Sequence, residues 1–569
     1  MSSREVSPLA FPSDAELVMP GSKSEANRLL AAAALSPFAH ELTGLPDALD
    51  VHYMVAGLCA MGYGVRALGS DGVVVAAERD ATHTSAEIFC GNAGTAARFL
   101  CAIAAVTPGE WTLTGDSYLA RRPFRPLLDA LGALGLHVES TGGATPLRVR
   151  GGRPAVDRVT VDASVSSQFA SALMLIAPAL ERGLTVAFAG DVASRRYLDL
   201  TCAALQRAGA RATLDPAGAR VEPGYAPPHG PLVVTGDWSA MGVWTCLNHL
   251  TGSRIQGDQL EADSDQADEA LAHVLAALQG PGPREVDVAP LPDQFLNLAA
   301  VAALRDGVTH IVGAANVRTK ECDRVAVMAR ELERCGADLD EHRDGLTVRG
   351  GAPLRGAVVD PEGDHRVAFA FGLLGSLVPG IHVAQPECVQ KSYPAFWEDL
   401  AWVHAKHRPV ALVGMRGAGK TTLGRALAEE LGSWFVDADE RFEARHGSIA
   451  AFVRARGWSA FRDAERAVLS ECLQAGVVIA TGGGCVEDEG SRRLLAERTF
   501  VVWLDAPADV LAARVASSDR PSLTGASLAD EVPDVLARRR GAYRSLADRR
   551  VDATLPLGEQ LQRASAPVR

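Results

Sequence analysis

Residues 414–421 read Gly-Met-Arg-Gly-Ala-Gly-Lys-Thr, and this stretch decides the fold of the C-terminal part of the chain. It follows the apolar run 410–413 and precedes a helical pattern that closes at Gly432. A strand, a glycine-rich loop and a helix in this order are typical of a phosphate-binding loop, because glycines let backbone N–H groups approach phosphate oxygens. The helix N-terminus adds positive potential there. We predict an ATP site in which Lys420 reaches the β- and γ-phosphates and Thr421 holds Mg²⁺.

The composition indicates a globular chain of three or four domains, since it has 569 residues of which 47% are hydrophobic and 22% charged. No apolar run approaches the roughly 18 residues of a membrane span. The N-terminus lacks the apolar core of a signal peptide. The ten cysteines are scattered without metal-site or disulfide spacing, which predicts reduced thiols and a cytoplasmic location.

The charges are unevenly distributed. Residues 408–569 contain 23 Lys and Arg and 22 Asp and Glu, so they are nearly neutral. The excess of acidic residues therefore lies before Arg408. An acidic front part argues against nucleic acid as a partner.

The chain has 51 arginines but only five lysines, at positions 23, 320, 391, 406 and 420. Lysine is therefore expected where a compact ammonium group is needed to hold an anion.

The front part repeats one pattern. A Leu-x-x-x-Gly segment ends a predicted helix and is followed by two short strands joined by a turn, at Leu58–Gly62, Leu131–Gly135, Leu205–Gly209 and Leu332–Gly336. A further, degenerate copy is expected at Ala276–Gly280. The repetition predicts one α/β architecture built from similar units.

Polar motifs fall between these repeats and place Lys, Arg or hydroxyl groups near helix starts, where anions bind. They are residues 20–28 (Pro-Gly-Ser-Lys-Ser-Glu-Ala-Asn-Arg), 91–98 (Gly-Asn-Ala-Gly-Thr-Ala-Ala-Arg), 121–123 (Arg-Arg-Pro), 164–169 (Ser-Val-Ser-Ser-Gln-Phe), 292–293 (Pro-Asp), 316–324 (Asn-Val-Arg-Thr-Lys-Glu-Cys-Asp-Arg), 364–366 (Asp-His-Arg) and Lys391. From about Leu17 to Trp402 the set resembles the 5-enolpyruvylshikimate-3-phosphate (EPSP) synthase family. That family transfers the enolpyruvyl group of phosphoenolpyruvate to shikimate 3-phosphate and releases phosphate.

The resemblance implies a two-lobed synthase of six repeated α/β units, an inside-out α/β barrel, and no cofactor. It assigns Asp293 as the base and Glu321 as the group that exchanges a proton with the methylene carbon, with Lys23 and Lys320 also catalytic. The implied contacts of shikimate 3-phosphate are Lys23, Ser24, Arg28, Ser166, Ser167, Gln168, Ser194, Tyr197, Asp293, Asn316 and Lys320. The implied contacts of phosphoenolpyruvate are Lys23, Asn92, Gly94, Arg122, Gln168, Arg324, Arg366 and Lys391.

Two positions depart from the synthase family's pattern. Phe99 stands where many synthases have proline, and Ala26 replaces a common serine. Neither position supplies an ionisable group, so altered fit is expected and not lost chemistry. The alternative is a related enolpyruvyl transferase acting on UDP-sugars, and the Ser-Ser-Gln-Phe and Arg-Pro segments favour shikimate phosphate.

The C-terminal part carries further motifs after the phosphate loop: Asp-Ala-Asp at 437–439, Phe-Arg-Asp-Ala-Glu at 461–465 and Thr-Gly-Gly-Gly at 481–484. In this order they resemble shikimate kinase, which implies a three-layer α/β/α fold with a parallel sheet. Catalysis would rest on Asp439 and Lys420, and Mg²⁺ on Thr421 and Asp437. ATP would contact Gly417, Ala418, Gly419, Lys420, Thr421, Thr422 and Arg520, and shikimate would contact Asp439, Arg462, Gly483, Gly484 and Arg539. The proline that usually precedes the tyrosine in that family is missing before Tyr543, so Arg538 and Arg540 remain alternatives to Arg539.

The two parts together predict a bifunctional enzyme that makes shikimate 3-phosphate and then consumes it, as in the middle of the fungal pentafunctional polypeptide. The expected boundaries are 1–407 for the synthase, with one lobe at about 20–232 and the other at 1–19 plus 233–407, and 408–569 for the kinase. The expected partners are small molecules, not nucleic acid or membrane. A non-catalytic scaffold and a kinase of nucleoside type are the competing hypotheses.

Overall fold

The computed structural model describes residues 2–262, 264–516 and 528–566. By its contacts the chain divides into two compact units. The first consists of residues 1–7, 17–250 and 256–397, and the second of residues 8–16, 251–255 and 398–569. Among the helices of the described residues, none combines the length and apolar character that a bilayer crossing requires.

The first unit repeats one four-stranded sheet. In each copy the first strand pairs in parallel with the second, and an antiparallel hairpin completes the sheet. Four such sheets lie in the described residues, with the strand orders Leu232–Val233, His40–Thr43, Gly72–Arg79, Tyr63–Leu68; Ser85–Phe89, Glu110–Thr114, Leu147–Arg150, His137–Ser140; Arg158–Asp162, Leu184–Ala189, Gly218–Tyr225, Ala210–Asp215; and Arg284–Asp287, Gly307–Val312, Gly345–Gly350, Asp338–His342.

Two smaller sheets accompany these four. One joins Ile381–Ala384 to Ser3–Val6 and Val358–Val359, and the other pairs Asp14–Leu17 with Arg254–Gly257. The helices of the first unit are Lys23–Leu35, Leu49–Ala60, Gly94–Val106, Arg125–Ala133, Gln168–Ile176, Arg196–Arg207, Trp238–Thr251, Leu271–Ala277, Phe295–Leu304, Arg324–Arg334 and His365–Gly375. The helix Phe396–Ala405 lies mostly in the second unit. Gly94–Val106 and Phe295–Leu304 are buried almost throughout, because they are apolar on every face.

The predicted Leu-x-x-x-Gly repeats end helices that lead into the four hairpins. Each leucine is fully buried, and each glycine has a φ between 84° and 93°, the left-handed region that ends a helix at low cost only for glycine. The repeated α/β architecture is therefore confirmed. Ala276–Gly280 differs, because its helix leads into the single strand Arg284–Asp287 and not into a hairpin.

The second unit contains a five-stranded parallel sheet, as predicted. Its strands lie in the order Trp434–Asp437, Val477–Ala480, Val410–Val413, Phe500–Asp505 and Arg549–Asp552. The helices that follow these strands are Lys420–Glu430, Ala438–His446, Ile449–Cys472, Glu489–Arg498, Ala508–Val515, Leu528–Leu546 and Leu557–Ala564. Val410–Val413 is buried along its whole length, as a central parallel strand must be.

A segment from the beginning of the chain completes this second unit. The Phe11 side chain is fully buried in its apolar core. Its ring meets that of Phe500 edge-on at 5.3 Å, and the Arg549 guanidinium lies 5.6 Å above it. The Pro12 carbonyl accepts a hydrogen bond from the Arg408 backbone N–H at 2.6 Å. Residues 8–16 are thus packed as part of the second unit.

We expect the Phe11→Ala variant to destabilise the second unit by about 3–5 kcal/mol, the range measured when a buried aromatic side chain is removed from a core. Hydrogen exchange read peptide by peptide would then accelerate in Phe500–Asp505. The control is Val18→Ala, since the Val18 side chain is 70% exposed. Unchanged protection of Phe500–Asp505 in Phe11→Ala would contradict the expectation.

Candidate active sites

The first candidate site is a cavity of about 40 Å³ in the first unit. Residues at the start of several helices form its wall, among them Lys23–Leu35, Gly94–Val106 and Arg324–Arg334. The predicted residues that line it are Lys23, Ser24, Arg28, Gly94, Arg122, Ser166, Ser167, Gln168, Ser194, Tyr197, Asp293, Lys320, Glu321, Arg324 and Arg366. Segments far apart in the sequence therefore meet at one cluster of charged groups.

Three predicted residues lie beside this wall without lining it. The Lys391 ammonium is 3.6 Å from Glu321 Oε1 and donates to the backbone carbonyl of Asn92. The Asn316 side-chain amide donates to Ser194 Oγ at 3.0 Å. All three are in direct contact with residues of the cavity or its rim.

Asp50 holds two of the scarce lysines together. Its Oδ2 is 3.0 Å from Lys23 Nζ, and its Oδ1 is 2.9 Å from Lys391 Nζ. The Asp50 carboxylate is buried, so these ion pairs form at low dielectric and are stronger than surface pairs. The arrangement orients both ammonium groups toward the cavity region.

Arg324 is the centre of a second buried charge network. Its guanidinium donates to Asp293 Oδ1 at 2.7 Å, to Glu321 Oε2 at 3.0 Å and to Asp364 Oδ2 at 2.7 Å. The Arg324 side chain is only 1% exposed. A charge buried this deeply is stable only when it is paired in this way, and the network fixes the two predicted catalytic carboxylates relative to each other.

The surroundings of Asp293 keep it ionised. Burial alone would raise its pKa, but Arg366, Lys320 and Arg324 together hold the pKa of Asp293 well below its usual range. The Tyr197 hydroxyl also donates to Asp293 Oδ2 at 2.7 Å. An ionised carboxylate in contact with the cavity can accept a proton from a bound hydroxyl.

Glu321 is ionised for a similar reason. Burial would raise its pKa, but Arg122, Arg324 and Lys391 hold the pKa of Glu321 well below its usual range. Arg122 Nη2 lies 3.6 Å from Glu321 Oε2. The protonation of Glu321 therefore depends on whether these cations stay beside it.

Close packing and hydrogen bonds fix two further predicted ligand contacts, Arg122 and Gln168. A Cβ atom added at Gly94 would lie 2.3 Å from Arg122 Nη1, so only glycine permits this approach. The Gln168 amide is fixed at both ends, because its Oε1 accepts from Arg98 at 2.5 Å and its Nε2 donates to Thr95 Oγ1 at 2.9 Å. The Arg98 guanidinium thereby orients a predicted ligand contact without lining the cavity itself.

The second candidate site is a cavity of about 330 Å³ in the second unit. It lies at the carboxyl ends of Val410–Val413, Trp434–Asp437 and Val477–Ala480, where ligands bind in open parallel sheets. The predicted residues that line it are Gly417, Gly419, Lys420, Thr421, Thr422, Asp437, Asp439, Arg462, Gly483, Gly484 and Arg539.

The phosphate loop has the predicted form. The helix Lys420–Glu430 begins directly after Gly419, which has a φ of 92°. The Lys420 ammonium donates to the backbone carbonyls of Gly414 at 2.9 Å and Met415 at 3.1 Å, so it curls back over its own loop. The helix N-terminus and the ammonium group are thus directed at the same space.

Thr421 and Asp437 form the pair predicted to lie on the metal side. Thr421 Oγ1 donates to Asp437 Oδ2 at 2.8 Å. The other oxygen of Asp437 caps the helix Ala438–His446 by accepting from the backbone N–H groups of Asp439 and Glu440. Asp437 is therefore held in place from both sides, with one oxygen beside the phosphate loop.

Arg539 is distinguished from its neighbours by its surroundings. It is buried and lines the cavity, and its Nη1 donates to the Gly483 carbonyl at 3.1 Å. Arg538 is exposed. Arg540 is exposed as well and pairs with Asp505 at 3.0 Å. Of the three arginines, Arg539 has the position predicted for a ligand contact.

One predicted ATP contact, Ala418, is not part of this wall. Ala418 is buried within the loop, and its backbone N–H donates to the Met415 carbonyl at 3.2 Å. Arg520 lies outside the described residues.

A comparison with protein-family models matches residues 12–400 to EPSP synthase (3-phosphoshikimate 1-carboxyvinyltransferase), which is more than half of the chain. The chain belongs to the EPSP synthase family. Shikimate kinase matches residues 416–563. Both resemblances predicted from the motifs are thereby confirmed, in the predicted order along the chain.

Individual relatives agree with these matches. A 3-phosphoshikimate 1-carboxyvinyltransferase of Rhizobium leguminosarum bv. trifolii is 35% identical over 403 residues, covering 69% of this chain and 95% of that protein. The pentafunctional AROM polypeptide of Clavispora lusitaniae is 29% identical over 613 residues. That alignment covers 94% of this chain but only 39% of the AROM polypeptide.

A solved structure shares the fold of the first part. EPSP synthase from Acinetobacter baumannii superposes with a TM-score of 0.59 at 21% identity, covering 70% of this chain and 97% of that one. The predicted EPSP synthase fold is thereby confirmed.

Several residues of the two sites were missed by sequence analysis. Asp50, Asp364 and Arg98 support the synthase cavity, and Glu465 and Glu487 support the arginines of the kinase cavity. Asp364 was quoted within a motif without a role, and Glu465 ends the Phe-Arg-Asp-Ala-Glu motif. Asp50 and Glu487 offered no signal, because an acid in the first turn of a helix or after a loop is usually an ordinary surface residue.

Proposed function

We propose that this chain catalyses two successive reactions. Residues 408–569 phosphorylate shikimate with ATP, and residues 1–407 transfer enolpyruvyl from phosphoenolpyruvate to the resulting shikimate 3-phosphate, in two lobes of about 20–232 and of 1–19 plus 233–407. Residues 8–16 would serve as a structural part of the kinase. The observation that carries the proposal is the presence of two separate cavities, each lined by the ionisable groups that one reaction requires.

The synthase reaction needs a base and an acid on two sides of the new C–O bond. Asp293, held ionised by Arg366, Lys320 and Arg324, would accept the proton of the attacking hydroxyl. Glu321 would give a proton to the methylene carbon of phosphoenolpyruvate and take one back as phosphate leaves. Arg324 binds the two carboxylates through different nitrogens, Asp293 through Nη1 and Glu321 through Nη2. This separation supports distinct roles for the two acids.

Substrate charge would bring Glu321 into its protonated form. Phosphoenolpyruvate would draw Arg122 and Lys391 to its own phosphate and carboxylate, and these are cations that keep Glu321 ionised. Without them the pKa of Glu321 rises, because a buried carboxylate that loses its cations favours the neutral form. Glu321 could then carry the proton that the reaction needs.

The synthase cavity must enlarge before the substrates enter. Its volume of about 40 Å³ is far below the roughly 300 Å³ of a usual small-molecule site. The contacts Tyr197–Asp293 and Ser194–Asn316 join segments on either side of the cavity. We infer that they separate for binding and re-form around the substrates, which excludes water during the reaction.

In the kinase cavity, Asp439 would accept the proton of the shikimate hydroxyl, and Lys420 would stabilise the charge on the transferred phosphoryl group. Arg462 and Arg539 would bind the shikimate carboxylate. Thr421 and Asp437 fit Mg²⁺, since this ion takes one or two protein oxygens and completes its shell with water and phosphate. When bound, it would neutralise phosphate charge.

We propose a cytoplasmic location, since the ten cysteines are free thiols. The partners would be the four small molecules shikimate, ATP, shikimate 3-phosphate and phosphoenolpyruvate. The acidic front part supports the expectation that nucleic acid is not among them.

The proposal is tested with the full chain in two separate assays. Shikimate and ATP should give ADP and shikimate 3-phosphate, and shikimate 3-phosphate with phosphoenolpyruvate should release phosphate without ATP. UDP-sugars and nucleosides serve as alternative acceptors in the same assays. Preference for either alternative acceptor, or lack of turnover with every substrate, would refute the corresponding half of the proposal.

Synthase activity is expected to fall as pH rises through about 8. Burial lowers the pKa of Lys320 from 10.5 to about 8. We propose that the Lys320 ammonium stabilises the attacking oxygen of shikimate 3-phosphate. This charged form exists below the pKa and is lost above it, so the rate should fall on the alkaline side. The measurement is kcat/KM of the synthase reaction between about pH 7 and about pH 9.5.

The Lys320→Arg variant provides the control for this pH profile. Arginine stays protonated over the whole range, so the alkaline decline should vanish even if overall activity is lower. An identical decline in the variant would assign it to another group.

A further inference from the structure

Glu487 joins the two arginines that face the kinase cavity. Its Oε2 accepts from Arg462 Nη2 at 3.0 Å, and its Oε1 accepts from Arg539 Nε at 2.9 Å. One carboxylate thus bridges two guanidinium groups carried by different helices, Ile449–Cys472 and Leu528–Leu546. Sequence analysis gave Glu487 no role.

The bridge lies outside the cavity, whereas the arginines lie in its wall. Arg462, Arg539 and Gly484 line the cavity, and Glu487 does not. The Glu487 side chain is 40% exposed, against 15% for Arg462 and 6% for Arg539. Glu487 therefore holds the two guanidinium groups from the solvent side, outside the cavity wall.

The Nη2 atoms of both arginines, including the one through which Arg462 binds Glu487, approach the same point. A Cβ atom added at Gly484 would lie 2.2 Å from Arg462 Nη2 and 3.0 Å from Arg539 Nη2. Because Gly484 has no side chain, two guanidinium nitrogens can approach the same place above its backbone. Two such nitrogens match the two oxygens of a carboxylate.

Free arginine side chains lose much rotamer freedom on binding a ligand, and a bridge that orders them beforehand reduces that loss. We propose that Glu487 is a positioning residue that fixes Arg462 and Arg539 as one receptor for the carboxylate of the acceptor substrate. This proposal rests on the proposed kinase function. In this role Glu487 would favour acceptor substrates that carry a carboxylate.

The main test is the Glu487→Gln variant of the full chain. The amide keeps one oxygen for one arginine but turns an NH₂ group toward the other, so the pair is no longer held together. We expect the KM for shikimate to rise about fivefold, in keeping with the modest strength of partly exposed ion pairs, while kcat and the KM for ATP change less than about twofold. Glu487→Asp, which keeps both oxygens, should recover part of the loss.

The control variant is Glu489→Gln. Glu489 is an exposed acid two residues further along, and it has no ion pair among the described residues. Its replacement should leave all kinase constants unchanged.

A second substrate separates positioning from a general structural effect. The methyl ester of shikimate lacks the negative carboxylate, so wild type and Glu487→Gln should differ little in their KM for it. An equal loss with the ester, or a parallel rise in the KM for ATP, would overturn the proposal in favour of general disorder of the site.

Two other outcomes would also overturn it. An unchanged KM for shikimate would show that the bridge is without effect, and a lowered KM would show that Glu487 competes with the substrate carboxylate. Failure of the proposed function is distinguishable, because the wild-type chain would then not phosphorylate shikimate at all.

Discussion

The Lys420→Ala variant is expected to lose phosphorylation of shikimate by at least about a hundredfold, the typical effect of removing one preorganised charge from a transition state. The Lys420 ammonium lies over the phosphate loop, within reach of the space in front of the helix N-terminus. Enolpyruvyl transfer should be unchanged, because Lys420 belongs to the second cavity and not to the first.

The measurement is a coupled assay started with shikimate, ATP and phosphoenolpyruvate. Phosphate release should stop in Lys420→Ala and return when shikimate 3-phosphate is supplied. The matched control is Lys406→Ala, since the Lys406 ammonium lies 4.2 Å from the Trp402 ring and outside both cavities. Full kinase activity in Lys420→Ala would show that the lysine of the phosphate loop takes no part in phosphoryl transfer.

The Asp293→Asn variant is expected to lose enolpyruvyl transfer by about a hundredfold to ten-thousandfold, the usual contribution of a general base. Asparagine keeps the shape of the side chain but cannot accept the hydroxyl proton. It also leaves Arg324 and Arg366 with one buried partner fewer. Kinase activity should remain, so shikimate 3-phosphate should accumulate in the coupled assay.

Retained kinase activity alone does not report on the first unit, so the folding of Asp293→Asn is checked by hydrogen exchange of Phe295–Leu304. The control substitution is Asp306→Asn, at an exposed position outside the cavity. Loss of both activities together in Asp293→Asn, or full synthase activity, would contradict the assignment.

Local motifs predicted much of both cavities, because glycine loops, helix starts and short charged runs bring their residues together over a few positions. The phosphate loop and the segment 316–324 are of this kind. The repeated Leu-x-x-x-Gly segments also revealed the hairpins, since a buried leucine and a left-handed glycine are local requirements.

Contacts between distant segments could not be predicted in this way. Asp50 meets Lys391 across 341 positions of sequence, and no local pattern relates them. Arg539 differs from Arg538 and Arg540 only in the direction in which each points from its helix. The burial of Phe11 in the second unit likewise depends on tertiary packing, since nothing in the sequence around Phe11 indicates which hydrophobic core its side chain joins.

The place of Phe11 has a consequence for how the protein is made. Ser13 Oγ donates to the Val403 carbonyl, a residue 390 positions later, so residues 8–16 meet these partners only after the whole intervening chain has been synthesised. The second unit is therefore complete only once the chain on both sides of the first unit has been synthesised. The segment 408–569 alone would lack the Phe11 side chain that packs against Phe500, so simple truncation at residue 408 would not give an intact second unit.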